Sequence, residues 1–130
     1  MQKILAGMAD ESTGAMVFFV GTVRNHDDGE RVLAIMYEAY DEMAQEILEK
    51  IESEVMARWP IKKFIAVQRT GYLKVGEISV VVAATSPHRQ EAFDACKYGI
   101  DTIKTSIPVW KNEKVESGEK WIKGVLLNVE

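Results

Sequence analysis

The sequence predicts an α+β domain in which two long helices pack on one face of a mainly antiparallel sheet. Two segments carry apolar residues at helical spacing, and five other segments are rich in β-branched and aromatic residues. Along the chain these segments follow the order strand, strand, helix, strand, strand, helix and a final short hairpin. At 130 residues, 47% of them hydrophobic, the chain is predicted to form a single domain over residues 1–130 with a substantial core.

The first half of the chain is predicted to contain two strands and one helix. Residues 14–23 form an apolar run of aromatic and β-branched side chains, which predicts a well-buried strand. A polar loop with Gly29 as its turn residue leads into a second strand over residues 32–40. Residues 41–59 are predicted to be helical, and the proline that follows stops the helix. The apolar positions of this helix are Met43, Ile47, Leu48, Ile51, Val55 and Trp59.

The second half is predicted to contain three further β segments and one helix. Residues 62–73 and 77–86 are predicted strands, separated by a Lys-Val-Gly turn. Residues 109–124 are predicted to form a short hairpin with its turn at Glu-Ser-Gly-Glu. The two strands extend the predicted sheet, and the hairpin is predicted to form a small extra sheet.

The second helix is predicted over residues 87–106. Ser86 is its predicted N-cap, the proline after Ser86 takes the first helical position, and Pro108 ends the helix. The first turn contains His88 and Arg89, although acidic residues are preferred there because a helix N-terminus carries partial positive charge. The inward-facing residues are predicted to be Ala92, Phe93, Cys96, Ile100 and Ile103.

His88 and Arg89 are candidates for an anion-binding site. The helix start offers N–H donors and positive potential, and a guanidinium can bind phosphate or carboxylate through two hydrogen bonds. A second cationic cluster, Arg24 and His26, follows the first predicted strand, and loops after strands are common functional positions. The two clusters contain both histidines of the chain, which favours one shared anion site. For either cluster alone, solvation or pairing with an acid such as Glu91 is the commoner explanation.

Two lysines and the single cysteine are the other candidates for chemistry. Lys104 is predicted at the end of the second helix, where a cation is favourable for dipole reasons alone. Lys111 follows Trp110, and desolvation beside an aromatic surface can make a lysine an acid, base or nucleophile. Spacing alone does not separate these reactive roles from those of ordinary surface lysines. Cys96 lies on the apolar face of the helix and is predicted to be inert packing.

Composition and charge exclude several classes of function. The net charge is −4, and residues 61–130 carry a surplus of only three positive charges, too few and too scattered for a nucleic-acid interface. One cysteine excludes an intramolecular disulfide and a Cys-based zinc site, and two histidines are too few for a metal cluster, so no metal or other cofactor is predicted. No apolar run approaches the about 18 residues of a membrane span and no signal peptide is recognisable, so we predict a cytoplasmic protein without membrane contact.

Three motifs, taken together, resemble one known family. They are GTVRNH at residues 21–26, SPHR at residues 86–89 and KTSIPVWK at residues 104–111. In this order, and within a similarity that extends from about Gly14 to Ile122, they resemble the catalytic (large) subunit of molybdopterin synthase, the MoaE family. The resemblance implies an α/β hammerhead fold and a sulfurtransferase that converts cyclic pyranopterin monophosphate into the dithiolene molybdopterin.

The resemblance also implies a partner and an assembly. The sulfur is expected to arrive as a C-terminal Gly-Gly thiocarboxylate on a small ubiquitin-like subunit, whose tail enters a pocket of the large subunit. A homodimer of large subunits is expected at the centre of a heterotetramer. The substrate is a pterin phosphate, so the two cationic clusters have an anion to bind.

The same resemblance implies roles for ten residues. By their positions in the motifs, Lys104 and Lys111 correspond to the two essential lysines of the family. One is expected to activate the pterin side chain or hold a covalent intermediate, and the other to contact the thiocarboxylate. The implied substrate-binding residues are Arg24, His26, His88, Arg89 and Phe19. The residues implied to shape the channel for the partner's tail are Pro108, Trp110 and Glu113.

Two other functions fit the residues less fully. A non-catalytic regulatory α+β domain could bind an anion through His88 and Arg89 without needing either lysine. An acylphosphatase-like hydrolase also binds phosphate at an arginine-bearing loop in a small α+β fold. Replacement of both lysines separates the first alternative from the synthase, and phosphate release without a partner protein would indicate the second.

Overall fold

The computed structural model describes residues 6–8, 10–27, 29–39, 41–107, 109–115 and 118–122. Within these ranges the chain forms two long helices, α1 (Asp41–Arg58) and α2 (Arg89–Ser106), and eight strands. The strands are β1 (Ala15–Thr22), β2 (His26–Asp27), β3 (Glu30–Ala39), β4 (Lys63–Gln68), β5 (Gly71–Lys74), β6 (Ile78–Ser86), β7 (Val109–Val115) and β8 (Gly118–Ile122). The predicted α+β class, with helices on an antiparallel sheet, is confirmed.

A three-stranded sheet in the order β1-β6-β4 forms the base of the main core. Both outer strands are antiparallel to β6. The two helices cover one face of this sheet, and their contacts with it and with each other enclose the core. Its buried side chains are Ile51, Val55, Ile61, Phe64, Val80, Val82, Ala84, Ala95, Cys96, Ile100, Ile103 and Ile107.

The second sheet has five strands and a small core of its own. Strands β2, β3, β7 and β8 follow one another in that order, and β5 also pairs with β3. The predicted hairpin of residues 109–124 is confirmed over its described residues, 109–115 and 118–122, as β7 and β8, and it belongs to a larger sheet than the small extra one predicted. The buried side chains of this second core are Val23, Val32, Ile35 and Leu73.

The opposite face of the three-stranded sheet is apolar and partly open. Val20 of β1 and Val67 of β4 both pair with Val81 of β6, and the three form a row across this face. Val20 is 38% exposed, Val67 42% and Met16 42%. The prediction of a well-buried first strand is therefore wrong, because the helices cover only one of the two faces that β1 presents.

Residues 62–73 form two strands in different sheets, where the sequence predicted one strand. Gly71 has a φ of +98°, a left-handed conformation that glycine adopts without steric cost, and it marks the change of direction. Strand β4 before it pairs with β6, whereas β5 after it pairs with β3. A local apolar pattern does not reveal which sheet a strand joins, so the sequence missed this division.

The start and the buried face of α2 also differ from the prediction. The N-cap is His88, with an extended φ of −125° and ψ of 150°, while Ser86 remains in β6. Phe93 is 58% exposed, because small residues, not the aromatic ring, take the stripe that faces the sheet. That buried stripe consists of Ala92, Ala95, Cys96, Gly99, Ile100 and Ile103. The predicted stop at Pro108 lies outside the described residues, and α2 ends at Ser106.

Candidate functional site

The start of α2 presents the first cationic cluster. His88 and Arg89 are exposed, and the His88 side chain makes no capping hydrogen bond. Neither residue forms an ion pair with Glu91 or with any other residue that the structure describes. One carboxylate oxygen of Glu91 is buried and has no hydrogen-bond partner among the described residues. The cluster therefore offers cationic side chains, a helix N-terminus and one acceptor at a single position in the fold.

The second cluster lies where β1 ends. Arg24 is exposed and follows Val23, whose backbone N–H donates to the Glu77 carbonyl at 3.0 Å, just before β6 begins. His26 lies in β2, opposite Arg31 of β3. Phe19 precedes this cluster in β1 and pairs with Val82 of β6. Phe19 is 38% exposed, so its ring is available at the surface near the end of β1.

The two clusters lie at opposite ends of the three-stranded sheet. Strand β6 begins beside the end of β1 and ends at Ser86, two residues before His88. Helix α2 then runs back along β6, as the contact between Gly99 and Val82 indicates, and returns Lys104 to the end where Arg24 lies. Fifteen helical steps separate Arg89 from Lys104, which is about 22 Å along the axis. The single shared anion site predicted from the sequence does not form within one chain.

The two candidate lysines flank a turn that the core holds in place. Lys104 is exposed in the last turn of α2. Ile107 follows the helix with only 2% exposure, and its N–H donates to the Ile103 carbonyl at 3.2 Å. Strand β7 starts two residues later, and Lys111 takes its third position, opposite Tyr37 of β3. Ile107 is thus a buried residue between the end of α2 and the start of β7, and the sequence did not predict it.

The candidates for the partner-tail channel fall in and before β7. Trp110 pairs with Glu38 of β3, and Glu113 pairs with Ile35 of β3 on one side. On its other side Glu113 pairs with Lys120 of β8. Pro108 lies outside the described residues. The β7 backbone therefore places two of the three channel candidates on the strand that also carries Lys111.

Cys96 has the properties of a packing residue. It is buried among the side chains that α2 directs at the sheet, and its thiol donates to the Val82 carbonyl at 3.4 Å. Burial raises the pKa of the Cys96 thiol, which disfavours the reactive thiolate. The structure thus offers no environment that would activate Cys96 as a nucleophile.

A shallow groove of about 200 Å³ between α1 and β4 contains none of the candidate residues. Its lining residues are Gln45, Leu48, Glu49, Glu52, Phe64, Ile65 and Ala66. In the described ranges, no three His, Cys, Asp or Glu side chains gather as metal ligands. Among the described residues, no helix is long and apolar enough to cross a membrane.

Comparisons with known proteins agree on one family. The family described as MoaE protein matches residues 1–106. The molybdopterin synthase catalytic subunit of Pyrococcus abyssi is 41% identical over 124 residues, which cover 95% of this chain and 84% of that protein. The crystal structure of molybdopterin synthase from Staphylococcus aureus is similar with a TM-score of 0.89 and 36% identity, over 95% of this chain and 90% of that one.

A more distant structure shares the fold. It belongs to a complex of subunits 1 and 2 of the molybdopterin-converting factor from Helicobacter pylori. The TM-score is 0.73 at 20% identity, over 94% of this chain and 77% of that one. At this identity the likeness supports the fold alone.

Proposed function

This chain belongs to the MoaE protein family, and from that premise we propose that it is the catalytic subunit of a molybdopterin synthase, a sulfurtransferase of molybdenum cofactor biosynthesis. The observation that carries this function is the 41% identity with a synthase catalytic subunit over 95% of the chain. The matched region, residues 1–106, includes both cationic clusters and Lys104.

The proposed reaction inserts two sulfur atoms into cyclic pyranopterin monophosphate to give the dithiolene of molybdopterin. A small ubiquitin-like subunit supplies each sulfur as a C-terminal thiocarboxylate. The sulfur first bonds to a pterin side-chain carbon, and water then cleaves the bond between the sulfur and the acyl carbon, which leaves the small subunit with a carboxylate. Its Gly-Gly tail enters a channel beside β7 that Pro108, Trp110 and Glu113 shape. The inert environment of Cys96 supports this scheme, because an enzyme that receives sulfur from a partner needs no thiol carrier of its own.

The cationic residues bind the substrate and the lysines perform the chemistry. The phosphate needs cationic and N–H donors, which the start of α2 and the end of β1 both supply. Lys104 and Lys111 act at the pterin carbon and at the thiocarboxylate, as nucleophile or acid and base. The buried turn at Ile107 supports a fixed relation between the two lysines.

A homodimer of large subunits, within a heterotetramer with two small subunits, completes the proposed assembly. About 22 Å of helix separates Arg89 from Lys104, so one small pterin phosphate cannot have its phosphate at Arg89 and its reacting carbon at Lys104 of the same chain. A second copy related by a two-fold axis can supply the start of its α2 to the Arg24 end of the first. The open apolar face with Met16, Val20 and Val67 supports such an association, which takes place in the cytoplasm.

Reconstitution tests the proposed function directly. The purified chain, cyclic pyranopterin monophosphate and a thiocarboxylated small subunit are mixed, and mass spectrometry detects the dithiolene product. We expect product only with all three components, and a loss of at least about 100-fold for Lys104→Ala and Lys111→Ala. Lys97→Ala is the matched control, because Lys97 lies on the same helix and only pairs with Asp101 at 2.6 Å. Absence of product with a competent small subunit would reject the synthase and leave an anion-binding domain.

A second experiment tests the shared site of the homodimer. Arg89→Ala and Lys104→Ala subunits, each inactive alone, are mixed, dissociated and reassociated. If each site takes its cations from both copies, each mixed dimer contains one site with all wild-type groups and one without. Random association makes about half of the dimers mixed, so about a quarter of the sites, and of wild-type activity, should return. No recovery would mean that each chain supplies its whole site.

A further inference from the structure

We propose that Ser86 and Gly14 are positioning residues that hold the start of α2 in the orientation that binds the substrate phosphate. This inference rests on the proposed function, in which His88 and Arg89 bind that phosphate. In this proposal neither Ser86 nor Gly14 binds the substrate itself. Both act through the turn that joins β6 to α2.

Ser86 ties the end of β6 to the first peptide of the helix. Its side chain is fully buried, and its hydroxyl donates to the His88 carbonyl oxygen. That carbonyl belongs to the N-cap residue and also accepts the first intrahelical hydrogen bond, which its second lone pair allows. The bond spans only two residues, so it closes the turn over Pro87 and determines where His88 leaves the sheet.

Because the peptide group is planar, a constraint on the His88 carbonyl also sets the direction of the next N–H group, which would bind the phosphate. The His88 carbonyl and the Arg89 N–H belong to the same planar unit and point in opposite directions. The carbonyl points into the helix and towards Ser86, so the Arg89 N–H points out of the helix start. An anion at a helix N-terminus is bound by such outward N–H groups. Ser86 therefore fixes the direction of a donor that it does not touch.

Gly14 holds the same turn from the neighbouring strand. Its N–H donates to the Ser86 carbonyl at 3.0 Å, directly before β1 begins. A Cβ atom at Gly14 would overlap the Pro87 carbonyl oxygen and lie 3.2 Å from the Pro87 carbonyl carbon. These atoms are backbone and cannot rotate away, so any side chain at Gly14 must displace Pro87 and with it His88. Only glycine lets β1 approach the turn this closely.

The test compares Ser86→Ala and Gly14→Ala in the reconstituted synthase with cyclic pyranopterin monophosphate as substrate. Loss of one ordering hydrogen bond is expected to raise KM about fivefold for Ser86→Ala, with kcat within twofold of wild type. Gly14→Ala displaces the backbone itself and is expected to raise KM at least as much. Inorganic phosphate serves as a competitive inhibitor, and its inhibition constant is expected to rise in parallel with the KM for the substrate.

Thr85→Val is the matched control. Thr85 is equally buried, precedes Ser86, and accepts a hydrogen bond from the Lys63 N–H at 3.0 Å, away from the helix start. This variant is expected to lower the thermal unfolding temperature as Ser86→Ala does and to leave KM unchanged. The positioning role would be overturned by an unchanged KM for Ser86→Ala, or by an equal rise in KM for Ser86→Ala and Thr85→Val.

His88→Ala separates this inference from the proposed function. If His88→Ala raises KM and Ser86→Ala does not, the phosphate site stands and the positioning role is wrong. If His88→Ala leaves KM and phosphate inhibition unchanged in an active enzyme, the phosphate role of the helix start is wrong, and the positioning role fails with it. If no variant or wild-type enzyme forms product, the synthase function itself is rejected.

Discussion

Replacement of Gly99 by alanine tests how closely α2 must approach the sheet. Two physical effects predict opposite changes in the free energy of unfolding. Alanine is favoured over glycine inside a helix by about 1 kcal/mol, which alone would stabilise the protein. Against this, a Cβ atom at Gly99 would lie 2.7 Å from Cζ of Phe64, 2.9 Å from its Cε1 and 3.1 Å from Cγ1 of Val82.

The steric effect is expected to win. Carbon atoms pack at about 3.5–4.0 Å, so the added methyl group is roughly 1 Å too close to a buried ring. Phe64 is only 6% exposed, and Val82, the other residue that the methyl group would approach, is fully buried on the central strand β6. Overpacking of this kind costs about 1–3 kcal/mol, which leaves a net loss of about 1 kcal/mol after the helix gain. For a domain of this size, Tm should fall by about 3–5 °C.

The assay is thermal unfolding at one fixed protein concentration, repeated in a Phe64→Leu background. Leucine lacks the two ring atoms nearest to the new methyl group, so Gly99→Ala should become neutral or stabilising there by up to about 1 kcal/mol. Ser53→Ala, at an exposed position of α1, is the control for the propensity effect alone, and its gain should be smaller than the about 1 kcal/mol of Gly→Ala. A higher Tm for Gly99→Ala in the wild-type background would refute the argument from close approach.

Three further predictions concern other contacts. Burial raises the pKa of the Cys96 thiol above its ordinary value of 9.0, so the native state should lose stability as pH rises past that value. Cys96→Ser should remove this pH-dependent loss and retain activity. Denaturant unfolding between pH 7 and 10 measures the free energy of unfolding of both proteins. Tyr98→Phe removes the hydrogen bond that the hydroxyl donates to Glu54 at 2.8 Å, and should cost about 0.5–1.5 kcal/mol of unfolding free energy. Breaking the exposed Lys97–Asp101 pair with Asp101→Asn should change stability by less than about 0.5 kcal/mol, and a larger loss would show that α2 depends on surface charge.

Features set by neighbouring residues could be predicted from the sequence. Helix α1 was predicted over residues 41–59 and spans Asp41–Arg58, because its apolar spacing and the following proline are local signals. The turns at Gly29 and Gly76 were also predicted, and their φ values of +77° and +89° are ones that glycine adopts readily. In each case the information lies within a few residues of the feature.

Features set by tertiary contacts could not be predicted in the same way. Helical spacing predicted that both Ala92 and Phe93 face inward, and only the close approach of the sheet leaves Ala92 buried and Phe93 exposed. The Ser-Pro pair is a typical helix start, yet Ser86 is held in β6 by its pairing with Ala15 of β1. Its hydroxyl still serves the helix start, because it reaches the His88 carbonyl from the strand.

The separation of the two cationic clusters depends both on a local feature, the length of α2, and on a tertiary one, the pairing of strands. The distance from Arg89 to Lys104 follows from the sequence, since fifteen residues of one helix extend about 22 Å. The position of Arg24 does not, because it depends on the antiparallel pairing of β1 with β6, which places the end of one strand beside the start of the other. Together they put His88 and Arg89 at one end of α2 and Lys104 at the other, about 22 Å away. The proposed synthase uses both groups in one reaction, and we therefore expect them to come from two copies of the chain; recovery of activity in the mixed Arg89→Ala and Lys104→Ala dimers tests this expectation.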